Sequence, residues 1–479
     1  MNYSIIRYIT GWVIVTISAF MLLPALVSVI YSETSTALVF IGCAAFFGLL
    51  GFLIKLKKPS SKRFFAREGF IVASLAWIVL SLISAIPFTI SGEIPFYIDS
   101  LYEVVSGFTT TGATILSDIE ALSRGMSFWR CFTNWLGGMG VLVFILAIMP
   151  QASGQAVYIL KAESTGPSVG KLVPKLKNSA AILYLLYFSM TVIQVILLRF
   201  ADMPWFDAIC ITFGTAGTGG FAPLNDSMAS YSVLAQNIVT VFMLLFGVNF
   251  NVYFLMIARK FKDAFSNEEL RWYFAIYFIA TFIMGASLFV SAPSHFNLTD
   301  IFFQTSSIMT STGFSTTDFN LWTPLAKGIL VILMFIGACA GSTGGGIKVS
   351  RFVVYAKTVK KQLSALIHPR SVKILKMDGK PINHETIRII NVYFATYIFI
   401  FVASLLIILT DGFDLTTSFT AVATNLNNVG PGLGKVGPMY NFSEFSPLCK
   451  LVLSFDMLAG RLEIFPLLIF FSPSAWHRK

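Results

Sequence analysis

About every hundred residues, this sequence interrupts long apolar runs with a short polar stretch that carries glycine. The four stretches are Thr110-Thr111-Gly112-Ala113, Gly217-Thr218-Gly219-Gly220, Ser311-Thr312-Gly313-Phe314 and Asn428-Val429-Gly430-Pro431. Recurrence at a near-constant period marks one supersecondary unit used four times. The apolar runs fall at 5–30, 37–54, 69–91, 128–150, 180–200, 233–258, 272–292, 326–347, 389–410 and 447–472, and each is long enough to cross a bilayer as a helix. Composition agrees: 56% of residues are hydrophobic and only 12% are charged, about half the charge of a soluble chain. Backbone in lipid must satisfy its own hydrogen bonds, so the expected fold is an all-α polytopic membrane protein with about ten spans.

The first run is too long for a secretory signal, has no small-residue cleavage site and is followed at once by a second run, so it reads as a retained helix. The cysteines at 43, 131, 210, 339 and 449 have no framework spacing, so neither disulfides nor a thiolate metal site is indicated. Lys and Arg concentrate on one side of the spans: at 55–67, 161–177, 259–271 and 348–388, and at the two termini. By the positive-inside rule that side is cytoplasmic, both termini included, and the glycine stretches open outward. The net charge of +11 is then a topology signal, too dispersed for a nucleic-acid surface. The outward side is acidic, with Glu93, Asp99, Glu103, Asp118, Glu120, Asp207, Asp226 and Asp300 among others. Singly these read as solvated loop charges; together they would concentrate cations at a mouth.

Within each unit the order is a spanning helix, a short amphipathic segment, the glycine stretch and a second spanning helix. The short segment opens near an aromatic residue and an aspartate (Asp99, Asp207, Asp300), which predicts an N-capped helix of about three turns that enters the membrane without crossing it. The fourth unit has Thr417 at that place and is expected to start on a threonine cap. Such helices would aim their partly negative C-termini at the midplane, the polarity that suits a dehydrated cation. Irregular backbone is allowed at that depth only if buried in protein or lining water. Four converging stretches with their carbonyls turned to one axis meet that condition, and glycine permits the turn.

A second stretch, Gly337-Ala338-Cys339-Ala340-Gly341-Ser342-Thr343-Gly344-Gly345-Gly346, lies inside the run at 326–347. Its breakers cannot hold a helix, so this span is expected to break below the glycine stretch. Close helix packing through small residues is the alternative. It is no nucleotide loop, because Gly346-Ile347-Lys348 lacks the required Gly-Lys-Ser/Thr run.

At these residues the chain resembles the Trk/Ktr superfamily of potassium transporters, and more closely the Trk-type (TrkH-like) bacterial membrane subunit, over nearly its whole length. The resemblance implies two N-terminal helices at 1–68 and four pore repeats at 69–179, 180–271, 272–388 and 389–479. It implies a K⁺ selectivity filter of Thr110, Thr111, Gly112, Gly217, Thr218, Gly219, Ser311, Thr312, Gly313, Asn428, Val429 and Gly430, with K⁺ held as substrate by backbone carbonyls and no bound cofactor. The signature glycines would be Gly112, Gly219, Gly313 and Gly430. Family members with serine there are associated with relaxed selectivity or Na⁺ coupling, so intact glycines favour K⁺. The stretch with Gly337, Gly341, Ser342, Thr343, Gly344, Gly345 and Gly346 would be the gating loop. Arg461, at membrane depth in the last run, would be a positive barrier in the cavity; a structural ion pair with Asp456 or Glu463 is the alternative. The resemblance further implies a homodimer in the bacterial inner membrane, with a cytoplasmic ring of RCK type binding NAD(H) or ATP/ADP docked on segments 151–179 and 356–388; plain solvated loops are the alternative for those segments.

Other function classes fare worse. An intramembrane enzyme would need paired carboxylates, a His-metal cluster or a nucleophile elbow, and none is found. A sensor without flux leaves the fourfold stretch unexplained. A Na⁺-permeable or ion-coupled (K⁺/H⁺ or K⁺/Na⁺) symporter of the same family would use the same filter.

Overall fold

The computed structural model describes residues 1–57, 59, 66–140, 176–369 and 374–476. The expected docking segment up to residue 175 and the second half of the 128–150 run lie outside them. The fold is helical; among the described residues the only strand pairing is a two-residue antiparallel ladder, Lys376–Met377 with Lys380–Pro381.

Three helices precede the repeats: α1 (Tyr3–Phe20), α2 (Leu22–Ile30) and α3 (Thr34–Leu56). Helix α1 crosses α3 where Gly11 and Gly51 meet backbone to backbone, the close approach that small residues allow in lipid. The first unit follows with α4 (Ala66–Ser91), α5 (Tyr97–Phe108) and α6 (Arg124–Gly138). The second has α7 (Leu176–Phe200), α8 (Trp205–Gly217), α9 (Val233–Phe246) and α10 (Phe250–Ile257). The third has α11 (Glu268–Ser291), α12 (Leu298–Met309), α13 (Pro324–Ile336) and α14 (Val349–Ile367). The fourth has α15 (His384–Ile408), α16 (Leu415–Leu426), α17 (Pro447–Arg461) and α18 (Phe465–Phe471).

Six helices among the described residues are long and apolar enough to span a bilayer. They comprise the N-terminal elements and the first helix of each unit. The second helices differ from expectation. Hydropathy predicts continuous spans at 233–258 and 447–472, with a break only in the third unit. Instead α9 and α10 meet at 89°, and α17 stops at Arg461, where Glu463 and Ile464 take positive φ. The hinge at Gly247-Val248-Asn249 is short, and Asn249 caps α10 through its own side chain; hydropathy cannot register a turn made of one glycine and one asparagine.

The starts of these second helices share a device that periodicity alone does not single out. Ser123, Ser232, Thr323 and Ser446 each accept the N–H of the third residue onward, at 3.2–3.4 Å, which satisfies an otherwise orphaned donor. The N-terminal helices dock on the first unit at that point: Glu33 accepts the Arg124 and Gly125 amides at 2.7 and 3.0 Å. At the opposite end the Tyr3 hydroxyl donates to the Trp476 carbonyl at 2.5 Å, so the start of α1 packs beside the segment that follows α18. All five cysteines are buried and unbridged.

Candidate functional site

Four short helices, α5, α8, α12 and α16, converge with mostly buried second halves. Their starts correct the expected caps. Asp99, Asp207 and Asp300 lie in the first turn, not at the cap. The fourth helix is the one capped by aspartate: Asp414 accepts the Thr417 amide at 3.1 Å. A first-turn carboxylate and a cap both favour a helix start, so spacing alone does not separate them.

Each helix ends in the same backbone turn. Thr110, Thr218, Ser311 and Asn428 take φ of 55°, 55°, 58° and 56°, and two residues later Gly112, Gly220, Gly313 and Gly430 take 78°, 70°, 84° and 102°. The residue between them returns its N–H to the carbonyl five positions back: Thr111 to Ser106, Gly219 to Gly214, Thr312 to Ser307 and Val429 to Thr424, at 2.8–2.9 Å. Alternating the sign of φ turns successive peptide groups toward one side.

This equivalence corrects the second triplet. The expected triplet is Gly217, Thr218 and Gly219, whereas the structure aligns Thr218-Gly219-Gly220 with the other three. Gly217 is still the last residue of α8, and the glycine at positive φ is Gly220. Three glycines in four positions fit the pattern in two registers, and only the backbone angles separate them.

The four turns form a closed ring. A methyl group added to Gly112 would overlap the Gly219 carbonyl oxygen; on Gly220 it would overlap that of Thr312, on Gly313 that of Val429, and on Gly430 that of Thr111. Each turn therefore abuts the next and the fourth returns to the first. Behind the ring, hydroxyl pairs Thr109 with Thr111 and Thr310 with Thr312 close at 2.8 Å. The same four glycines line the floor of a cleft of about 280 Å³ that also includes Arg130, Asn225 and Asp226. At its rim Asp118 accepts from the Asn225 amide at 2.8 Å, which holds the Asp118 carboxyl below its ordinary range. A carbonyl ring at four helix C-termini, open to a polar cleft, offers oxygen ligands without a fixed charge, the donor set for a weakly hydrated monovalent cation.

On the other side of the ring lies the segment between α13 and α14. Gly337, Gly341, Gly346 and Lys348 all have positive φ, so the expected break is present. The segment is not a free loop. Gly345 donates its N–H to the Ser311 hydroxyl, and Gly346 donates to the Asn427 carbonyl at 2.9 Å. A methyl on Gly344 would press on the Thr310 carbonyl oxygen at 2.8 Å. Cys339 donates to Gly247 at 3.1 Å, and Gly341 accepts from Phe250 at 3.1 Å, so the segment also fills the α9–α10 hinge. Ser342 and Thr343 are buried within it. Glu269, in the first turn of α11, accepts the Ala340 and Ser350 amides at 2.6 and 3.1 Å. Nothing in the sequence sets Glu269 apart from an ordinary first-turn acid.

Arg461 ends α17 among these groups. It donates to the Thr343 carbonyl at 2.8 Å, to that of Gly138 at 2.7 Å and to that of Gly137. The two carboxylates expected as alternative partners are engaged elsewhere: Glu463 with Arg351 and Asp456 with the Ser404 hydroxyl at 2.7 Å. The guanidinium thus joins the broken segment to the C-terminal end of α6.

Comparison with known proteins places this arrangement. The family model described as TrkH, cation transport protein, matches residues 35–478. The Trk system potassium uptake protein TrkH of Escherichia coli K12 is 33% identical over 99% of this chain and 100% of its own length. TrkG of the same organism, also described as a Trk system potassium uptake protein, is 33% identical over 99% of this chain and 100% of its own. The crystal structure of the potassium transporter TrkH from Vibrio parahaemolyticus superposes with a TM-score of 0.89 at 32% identity, covering 100% of both chains. A multi-pass helical membrane protein with this extent of likeness belongs to the TrkH family of cation transport proteins.

Proposed function

We propose that this protein carries potassium into the cell across a bacterial inner membrane, through the axis of the carbonyl ring and down the membrane potential. The carrying observation is the closed cycle of contacts between Gly112, Gly220, Gly313, Gly430 and the carbonyls of Gly219, Thr312, Val429 and Thr111. Four glycines at the turns, with no serine, favour K⁺ over a Na⁺-permeable relative. The filter in this reading is Thr110-Thr111-Gly112, Thr218-Gly219-Gly220, Ser311-Thr312-Gly313 and Asn428-Val429-Gly430. The names of the relatives, potassium uptake proteins of a Trk system, support the same substrate.

The segment at 337–348 closes the path beneath the filter, and Arg461 adds a positive charge there that slows cation passage. Opening requires the segment to leave Ser311, Asn427 and the Thr343–Arg461 contact together. Exposed apolar side chains at the end of α14, Leu363, Leu366 and Ile367, suit a covered surface. Resemblance to the family assigns such surfaces to a second copy of the chain and to a cytoplasmic nucleotide-binding ring. Rubidium soaked into crystals of the protein tests the site directly. Anomalous density on the axis between the Thr111, Gly219, Thr312 and Val429 carbonyls is expected; density elsewhere, or none at saturating rubidium, would count against the ring as the binding site.

A further inference from the structure

Behind the first two turns of the ring lies a buried ion pair that its sister units lack. Arg130 of α6 donates Nε to Glu103 of α5 at 2.6 Å, and no more than 2% of either side chain is exposed. Its Nη1 donates to the Ala222 carbonyl at 3.0 Å, and its guanidinium lies 3.6 Å from the centre of the Phe221 ring. Glu103 in turn accepts the Ile115 amide at 2.9 Å and the Thr114 hydroxyl at 3.0 Å. Ala222 follows Gly220 by two residues and Thr114 follows Gly112 by two. The pair therefore joins the outgoing limb of the first turn to that of the second.

Counting back from the left-handed residue of each turn, Glu103 corresponds to Ile211, Gln304 and Ala421; counting from each helix cap, Arg130 corresponds to Val239, Leu330 and Leu453. The fold thus accepts apolar residues at the Arg130 position three times, and a buried ion pair gives little stability over such residues. In the third and fourth units a neutral hydroxyl ties the limb inside its own unit, Ser307 to Phe314 and Thr420 to Leu433. Among the described residues the Glu103–Arg130 pair instead ties the limbs of two units together through charge-assisted bonds, which are shorter and hold geometry more tightly than neutral ones.

We propose that Glu103 and Arg130 are positioning residues that fix the separation of the first two turns, and hence how strongly the ring prefers K⁺ to the smaller Na⁺. The proposal rests on the ring being the filter. Neither side chain touches the ion; Arg130 acts through the Ala222 carbonyl and Glu103 through Ile115.

The test is the zero-current potential of the full-length protein in planar bilayers with K⁺ on one side and Na⁺ on the other, a ratio independent of how much protein inserts. Arg130→Lys keeps the charge but replaces two fixed donors on separate nitrogens, Nε to Glu103 and Nη1 to Ala222, with one mobile ammonium, and is expected to lower the K⁺/Na⁺ permeability ratio roughly tenfold. Glu103→Gln is expected to lower it in the same direction. Lys450→Met, which breaks a half-buried pair with Asp99 away from the ring, is expected to leave the ratio alone. Should the single variants fail to fold, the double change Glu103→Ile with Arg130→Val, copied from the second unit, keeps the test alive and is expected to fold with a lowered ratio. Wild-type ratios in these variants, while Gly313→Ser lowers its own, would overturn the positioning role and leave the filter standing. An unchanged ratio in Gly313→Ser as well would remove the filter reading itself.

Discussion

At the scale of single residues, the backbone angle decides what a glycine is for. Gly220 is held at φ 70° and a methyl on it would overlap the Thr312 backbone carbonyl, whereas on Gly219 it would meet the Asn134 side chain rather than backbone. Gly220→Ala is therefore expected to abolish selective rubidium uptake, and Gly219→Ala to retain most of it; equal loss in both would undo the Thr218-Gly219-Gly220 register. Positive φ in a residue with a Cβ costs on the order of 1 kcal/mol before any overlap. In the proposed reading Arg461 would bear on flux in a different way. Arg461→Ala removes the contact with Thr343 and a positive charge from the path, so cation flux should rise while the K⁺/Na⁺ ratio stays; unchanged flux at normal expression would argue against a barrier. Most of these residues are legible in the sequence as a pattern: Gly112, Gly313 and Gly430, the breakers of 337–346 and a charge at membrane depth all stand out in an apolar chain. The Gly220 register is not, because glycine repetition carries no angle. Nor are Glu103 and Arg130, which look like ordinary members of an acidic, outward-facing side until the fold brings them together.

At the scale of elements, local chemistry explains where the helices start and stop. Asp414 is the clearest case: the Thr417 hydroxyl, first, and nearby amides hold its carboxyl below the usual carboxylate range. Its capping contribution should be complete above about pH 4 and be lost as pH falls through its depressed folded value. Asp414→Ala is expected to cost about 1 kcal/mol, read as a lowered thermal midpoint at neutral pH that merges with the unsubstituted protein in acid. A difference that persisted in acid would mean the side chain acts other than as a charged cap. Two of the broken second helices turn on glycine or asparagine, at 247–249 and in the 337–346 stretch, whereas the break after α17 falls on Glu463 and Ile464. Ser311→Ala removes the acceptor for the Gly345 amide while keeping a Cβ at that turn position, so opening of the segment should become easier, seen as higher basal flux. Hydropathy reports the second and fourth units' broken helices as one apolar run each, because a hinge of two or three residues hardly changes an average over a whole span.

At the scale of the whole molecule, one turn repeated four times makes a structure no single copy could. Backbone carbonyls without hydrogen-bond donors are tolerable at membrane depth only where they face protein or line a path such as the one proposed here. The N-terminal helices brace the first unit through Glu33, and Arg461 and the 337–348 segment join the first, third and fourth units beneath the ring. The periodicity and the membrane class are plain from the sequence because both are properties of the whole chain; the closure of the ring is not, since it depends on contacts between residues about a hundred or more positions apart. The most direct measurement is radioactive rubidium uptake into proteoliposomes containing only this chain, under an imposed potential, with K⁺ and Na⁺ as competitors and Gly313→Ser in parallel. A carbonyl-ring filter for K⁺ predicts uptake that K⁺ blocks and Na⁺ does not, with that discrimination lost in the variant. Uptake blocked equally by both ions in the unsubstituted protein, or discrimination unaltered by Gly313→Ser, would contradict it.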